Sequence, residues 1–213
     1  KFYQNYKLLL IVLALAAGGT GFVIAYTLGL FPLLLLLIMS LLGLSYNLRF
    51  VPKRFVGIRY RRIRDVSGSK TLLIAMAWGI VTAVLPPLSL TGKASWITGL
   101  IFLWTAGIVF VRTAFFDILD MQGDRIVGKH TFAIMLGEKR TMRILKNMLI
   151  VLVAALMLLS FFHIISYLGL VLIGCPIFFL LLLSAYEQGV LLPSIKLEFL
   201  VETNFILAGP VAF

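Results

Sequence analysis

The sequence predicts an all-α fold, a polytopic transmembrane helical bundle of about seven helices, and three observations lead there. Hydrophobic residues make up 62% of the 213 and charged residues 13%, where soluble domains carry about 25% charged. The apolar residues recur in separate blocks along the whole chain. Lysine and arginine gather in alternate connections between those blocks, as a serpentine membrane protein requires.

The blocks run from Leu8 to Leu28, Phe31 to Leu48, Thr71 to Leu90, Ile97 to Val111, Leu145 to Phe162, Ile164 to Ala185 and Phe199 to Phe213. Each approaches the roughly 20 residues that cross a hydrocarbon core, with the second, fourth and last running short. Backbone amides in lipid must be satisfied within their own segment, and a β-barrel would show ~10-residue alternating strands instead of blocks of Leu, Ile, Val and Phe. The first block is too long for a signal-peptide core, and with Lys1 in place of an initiator methionine the chain reads as N-terminally truncated. No heptad repeat, low-complexity tract or linker interrupts it, so residues 1–213 read as a single transmembrane domain. Cys175 lies in an apolar helix beside Pro176, without a partner for a disulfide or a metal site.

The charges set an orientation. Lys1 and Lys7 precede the first block, which places the start in the cytosol and the uncharged Leu28 to Pro32 turn outside. The connection from Leu48 to Lys70 holds Arg49, Lys53, Arg54, Arg59, Arg61, Arg62, Arg64 and Lys70 against Asp65 alone, so it lies inside. The turn near Thr91 to Ser95 carries only Lys93, whereas Arg112 to Lys146 is again strongly basic. His163 to Tyr167 is external, and Glu187 to Glu198 returns to the cytosol. The formal net charge of +11 is thereby explained by topology, and no nucleic-acid partner is expected. His130 and His163 fall on opposite sides and carry no catalytic expectation. The long basic connection is a candidate lid, since loops beyond about 12 to 15 residues are uncommon unless they work.

One constellation carries chemistry. At the end of the fourth block the chain reads Phe115-Phe116-Asp117-Ile118-Leu119-Asp120-Met121-Gln122-Gly123-Asp124-Arg125, with acids at i, i+3 and i+7. On a continuous helix those carboxylates share roughly a 60° arc over ~10 Å of axis. The chain has only eight acidic residues, and charges this close to a membrane span are costly unless they have a use. Three such carboxylates repel one another unless a cation sits among them, and a hard all-oxygen site suits Mg²⁺. Mg²⁺ binds through one or two carboxylates plus a substrate's phosphate oxygens, so Asp117, Asp120 and Asp124 are the expected metal ligands of a phosphorylated substrate, with Arg125 and Lys129 beside them.

These residues resemble the second aspartate-rich motif of the UbiA superfamily of intramembrane prenyltransferases. The likeness continues through Gly123-Asp124-Arg125, Gly128-Lys129-His130-Thr131 and Leu136-Gly137. It also covers Tyr46-Asn47-Leu48-Arg49 and Lys70 to Trp78. The resemblance implies a nine-helix fold, of which this chain supplies helices three to nine. The family's first motif, of the Asn-Asp-x-x-x-Asp type after helix two, has no counterpart here, so the fragment alone is expected to bind substrate weakly or not to turn over.

What the resemblance implies is Mg²⁺-dependent transfer of an isoprenoid chain from a prenyl diphosphate to an aromatic or other lipophilic acceptor: a quinone precursor, a tetrapyrrole or a lipid. Asp117, Asp120, Asp124 and Tyr46 are then the catalytic set, and Asn47, Arg49, Lys70, Arg125 and Lys129 the diphosphate-binding set. The expected location is a bacterial or archaeal cytoplasmic membrane, in contact with membrane lipid, with the aspartates facing the cytosol. Departure of diphosphate leaves an allylic cation that needs a dry, aromatic pocket, for which Phe115, Phe116, Tyr46, Trp78 and Trp104 are candidates. Glu202 and Asn204 are candidates to orient the acceptor. Two rival readings are an ion-coupled membrane transporter, whose acids would lie at mid-membrane, and an alcohol phosphotransferase, whose longer Asp-Gly-x-x-Ala-Arg signature is absent.

Overall fold

A computed structural model of the chain describes residues 2–46, 66, 68–129, 131–164 and 168–212, and among these all regular structure is helical. The helices are α1 (Phe2–Leu28), α2 (Leu30–Ser45), α3 (Ser69–Gly79), α4 (Leu85–Thr91), α5 (Trp96–Leu119), α6 (Met121–Ile126), α7 (Phe132–Leu136), α8 (Glu138–Phe161), α9 (Leu168–Leu172), α10 (Gly174–Glu187) and α11 (Ile195–Ala212). A π-helical turn at Ile80–Val84 joins α3 to α4. Pro86 and Pro87 follow it after Leu85; proline has no amide to offer the preceding turn, and the backbone widens where the regular ladder fails.

Among the described residues, five segments are long and apolar enough to cross a membrane: Tyr6–Leu28, Ser69–Thr91, Trp96–Leu119, Glu138–Phe161 and Gly169–Glu187. The helical membrane bundle read from the sequence is therefore the architecture found. At 16 residues α2 is apolar but short, reaching about 24 Å against a core of about 30 Å. The fourth block, expected to end at Val111, continues as a 24-residue helix to Leu119. Hydropathy stopped at Arg112, whereas the structure pairs Arg112 with Glu202 of α11 and so carries the helix through it. For the same kind of reason α8 starts at Glu138, seven residues before the apolar block: its first two turns are helical but polar.

The described residues within Lys1–Ile63 and Ile80–Phe102 form one compact unit, and those within Arg64–Gly79 and Leu103–Phe213 a second. In the first unit α1 lies on α2 and α2 on α4. Leu8, Leu15, Leu30 and Leu44 stand largely exposed there, a surface unfavourable in water but matched to acyl chains. Ser95 starts α5 through a reciprocal bond pair with Thr98, the Thr98 amide donating to Ser95 Oγ at 3.3 Å and the Ser95 amide to Thr98 Oγ1 at 3.2 Å.

The second unit holds the core. Val111, Ala114, Phe115 and Ile118 line one face of α5 at i, i+3, i+4 and i+7, and meet Met142, Leu145 and Leu149 of α8, Phe179 and Leu183 of α10, and Leu197 and Val201 of α11. Phe115 packs edge-on against Phe179 and Tyr186, with ring centroids 6.1 and 5.4 Å apart. Between lipid-solvated helices, close packing and polar contacts do the work that burial does in water. Gly107 shows the close packing, because a β-carbon there would lie 3.2 Å from Leu152. Asn204 shows the polar contact: it is buried in α11 and its amide donates to the Cys175 carbonyl of α10 at 3.2 Å.

Candidate functional site

The three aspartates sit where the long α5 gives way to the short α6. Asp117 occupies the last turn of α5, Asp120 the junction, and Asp124 the middle of α6. The i to i−4 ladder runs on through the junction, the Asp120 amide donating to the Phe116 carbonyl at 3.0 Å and the Asp124 amide to the Asp120 carbonyl at 2.9 Å. The three positions therefore stay in helical phase, as their spacing predicts, although each carboxylate has a different environment.

Asp117 is buried at 5% exposure, and its Oδ2 accepts a 2.7 Å hydrogen bond from the hydroxyl of Thr71, itself fully buried. Thr71 is in the first turn of α3, and Gly68 fixes where that turn begins. Gly68 has φ +77, and a β-carbon on it would come within 3.2 Å of Phe132 at the start of α7. Only glycine takes that conformation without strain and that proximity without a clash. The Gly68 carbonyl then accepts from the Leu72 amide at 3.0 Å, and α3 is launched with Lys70 and Thr71 on its first turn. The charges of Lys70, Asp124 and Asp120 all act on the Asp117 carboxylate, which places them in one electrostatic neighbourhood.

Asp124 is also buried, and Lys129 Nζ donates to its Oδ1 at 2.6 Å. The backbone brings that lysine back. Past α6, Gly128 adopts φ +71, its amide donates to the Arg125 carbonyl at 3.2 Å, and the Lys129 amide donates to the Asp124 carbonyl at 2.9 Å. This paired 5→2 and 6→1 closure with glycine at the left-handed position is a Schellman cap. It gives a physical reason for glycine immediately before lysine in the motif. The hydrogen bond to Asp124, and then the negative charge of Asp124 itself, hold the Lys129 ammonium above the ordinary lysine range. Thr131 next caps α7, accepting from the Ile134 amide at 3.4 Å, and Gly137 at φ +80 turns the chain into α8.

Asp120 is exposed and makes no side-chain cap bond to α6. No group of three His, Cys, Asp or Glu side chains among the described residues is arranged to hold a metal ion by itself. The donor set nonetheless suits a hard cation that draws its remaining oxygens from water and phosphate. Each ionised carboxylate has about four acceptor positions, and Asp117 and Asp124 commit Oδ2 and Oδ1 respectively to protein donors. The Ser69 hydroxyl, two residues before Thr71, is buried with no hydrogen-bond partner among the described residues.

The other expected residues fall in different places. Arg125 is exposed, with its guanidinium 3.8 Å from Met121 Sδ rather than on a carboxylate. Tyr46 follows the last turn of α2 in the first unit, its amide donating to the Leu42 carbonyl at 3.1 Å. Asn47, Arg49 and most of the candidate lid lie outside the described residues.

Among the aromatic candidates, Phe115 is core and Trp78 is 55% exposed. Trp104 packs beside Ala75, Ile108, Val109 and Cys175 with its indole N–H unpaired among the described residues. Phe116 and Phe205 carry the Arg112 guanidinium between them, 5.1 and 5.8 Å from their centroids. Glu202 and Asn204, considered for the acceptor, are engaged by Arg112 and the Cys175 carbonyl respectively.

Thr71 is the partner that reading the sequence missed. It opens an apolar block next to Lys70, but its pairing with a residue 46 positions on is tertiary. A family model described as UbiA prenyltransferase family matches residues 7–192. No curated protein and no solved structure matches the chain.

Proposed function

From the premise that this chain belongs to the UbiA prenyltransferase family, and so acts broadly as an integral membrane prenyltransferase, we propose a Mg²⁺-dependent transfer of an isoprenoid chain from a prenyl diphosphate to a lipophilic acceptor at the α5–α6 junction. The observation that carries this reading is the gathering of Asp117, Asp120 and Asp124 with Lys70 and Lys129 in one electrostatic neighbourhood at the end of a membrane span. That placement suits an amphiphile, its charged head at the span's end and its tail among the helices.

Asp120 and the oxygens of Asp117 and Asp124 not bonded to Thr71 and Lys129 would hold Mg²⁺, which when bound supplies a Lewis-acidic charge for phosphate oxygens. The chain's own residues do the rest. Thr71 holds the Asp117 carboxylate at a fixed position, so that it need not reorganise as charge develops. Lys129 neutralises part of the acidic cluster and, with Lys70 and Arg125, offers cations to the departing diphosphate. The bond between the allylic carbon and the bridging oxygen breaks with its electron pair leaving on diphosphate. The acceptor's nucleophilic atom then bonds to that carbon and loses its proton. Arg49, Asn47 and Tyr46 complete the proposed substrate site, by analogy with the motif they resemble. Quinone precursors, tetrapyrroles and lipids remain the acceptor classes, and a cytosolic face for the aspartates follows the positive-inside pattern of the loops.

The test is diphosphate release from prenyl diphosphates by the intact protein in membranes. Asp117→Asn and Asp120→Asn are each expected to lower the rate by at least about 100-fold while helical circular dichroism is unchanged. A rate within about twofold of wild type for both variants would dismiss the aspartates as the diphosphate site.

A further inference from the structure

Away from the aspartates, the second unit contains a cavity of about 680 Å³ where α8 begins and α10 ends. Two candidate membrane spans, Glu138–Phe161 and Gly169–Glu187, share this end, so the cavity lies at the depth of lipid headgroups.

Its walls are of two kinds. Lys139, Arg143 and Lys146 stand on α8 at i, i+4 and i+7, while Ile150, Leu191 and Leu192 supply apolar surface. Two carboxylates stand at the rim: Glu187 pairs with Lys146, and Glu138 acts electrostatically on the Tyr186 hydroxyl. Lys139 and Arg143 are exposed and have no carboxylate partner among the described residues. The cavity therefore presents two cations one turn apart that belong to no ion pair among the described residues, above an apolar floor on which Leu192 is 71% exposed.

We propose that this cavity binds an anionic phospholipid of the surrounding bilayer, with the phosphate on Lys139 and Arg143 and the start of an acyl chain along Ile150 and Leu191. A zwitterionic lipid brings its own cation and leaves the pair unmatched. A free phosphate leaves the apolar floor in water. An anionic phospholipid answers both, and basic pockets between membrane helices are the usual place for such headgroups. The site is separate from the proposed prenyl diphosphate site and does not depend on it.

The experiment is native mass spectrometry of the detergent-purified protein titrated with phosphatidylglycerol or phosphatidylcholine of matched chains. Wild type is expected to retain phosphatidylglycerol in preference. Each basic residue near an anionic headgroup changes affinity about fivefold, so Lys139→Gln with Arg143→Gln should weaken phosphatidylglycerol binding about 30-fold, and Lys139→Arg with Arg143→Lys should stay within about threefold of wild type. Equal retention of the two lipids by wild type would overturn the proposal, and so would an undiminished preference in the double Gln variant. Complete displacement of the lipid by millimolar inorganic phosphate would also overturn it, as binding of a free anion. If the double variant does not fold, the wild-type comparison and Arg143→Gln alone decide.

Discussion

Replacing Thr71 by valine keeps the shape of the side chain and removes the hydroxyl from which the Asp117 carboxylate accepts its 2.7 Å bond. Both residues are almost wholly buried, so water cannot take the hydroxyl's place. A hydrogen bond to a charged group contributes about 1.5–3 kcal/mol, and leaving the acceptor unsatisfied costs the same order. For a chain of this length each kcal/mol moves the melting temperature by about 2–4 °C, so Thr71→Val should melt about 3–12 °C below wild type in detergent. Thr71→Ser keeps the donor and should lose less. In an Asp117→Asn background the valine's cost should fall by about half, because a neutral pair is the weaker one. If Thr71→Val matches wild type, or costs as much in the Asp117→Asn background as it does beside the native aspartate, the carboxylate is not held by this hydroxyl.

Gly68→Ala meets both a left-handed backbone and Phe132 at 3.2 Å, and should cost about 1–2 kcal/mol, read as a lowered melting temperature. Gly128→Ala should cost a similar amount for its backbone alone, since the space around it is open, and should lower the diphosphate-release rate by loosening the Lys129 cap. Arg112→Leu leaves the half-exposed Glu202 of α11 without its cation and should destabilise by about 1–3 kcal/mol, while Arg112→Leu with Glu202→Leu should recover most of that loss; thermal melts of the two variants compare them directly. The Lys129–Asp124 contact has a simple alkaline signature. Lys129 titrates above its unfolded value, so its stabilisation is complete below the ordinary lysine range and is lost as pH rises through the elevated folded pKa. Wild type should therefore lose more stability than Lys129→Met in strongly alkaline melts.

Much of the bundle was legible because membrane spans announce themselves. The apolar blocks from Leu8 and Leu145 each became one helix with offset ends, the block from Thr71 became α3 and α4 about a π turn, and the block from Ile164 holds α9 and α10. The largest offset is instructive. Hydropathy breaks at Arg112 because it scores each residue alone, and the Glu202 that compensates Arg112 is 90 positions away. The π-helical turn before Pro86 lies inside a block that reads as one continuous apolar span. At the site, the spacing of Asp117, Asp120 and Asp124 and the Gly128-Lys129 pair were local signals, and local geometry followed from them. The hold of Thr71 on Asp117 and the seat of Gly68 against Phe132 were not readable, since each joins segments far apart in sequence. The arc drawn on an ideal helix also gave the three carboxylates one shared environment, whereas burial divides them into two enclosed and one exposed.

The most direct measurement is equilibrium binding of a non-hydrolysable prenyl thiodiphosphate to the intact protein, with and without Mg²⁺, in wild type and Asp120→Asn. Asp120 is exposed and makes no cap bond, so its replacement leaves the fold in place and removes one carboxylate from the cluster. Binding should require Mg²⁺ in wild type and weaken at least about tenfold in the variant. Tight binding that ignores both the metal and Asp120 would place the diphosphate elsewhere in the protein.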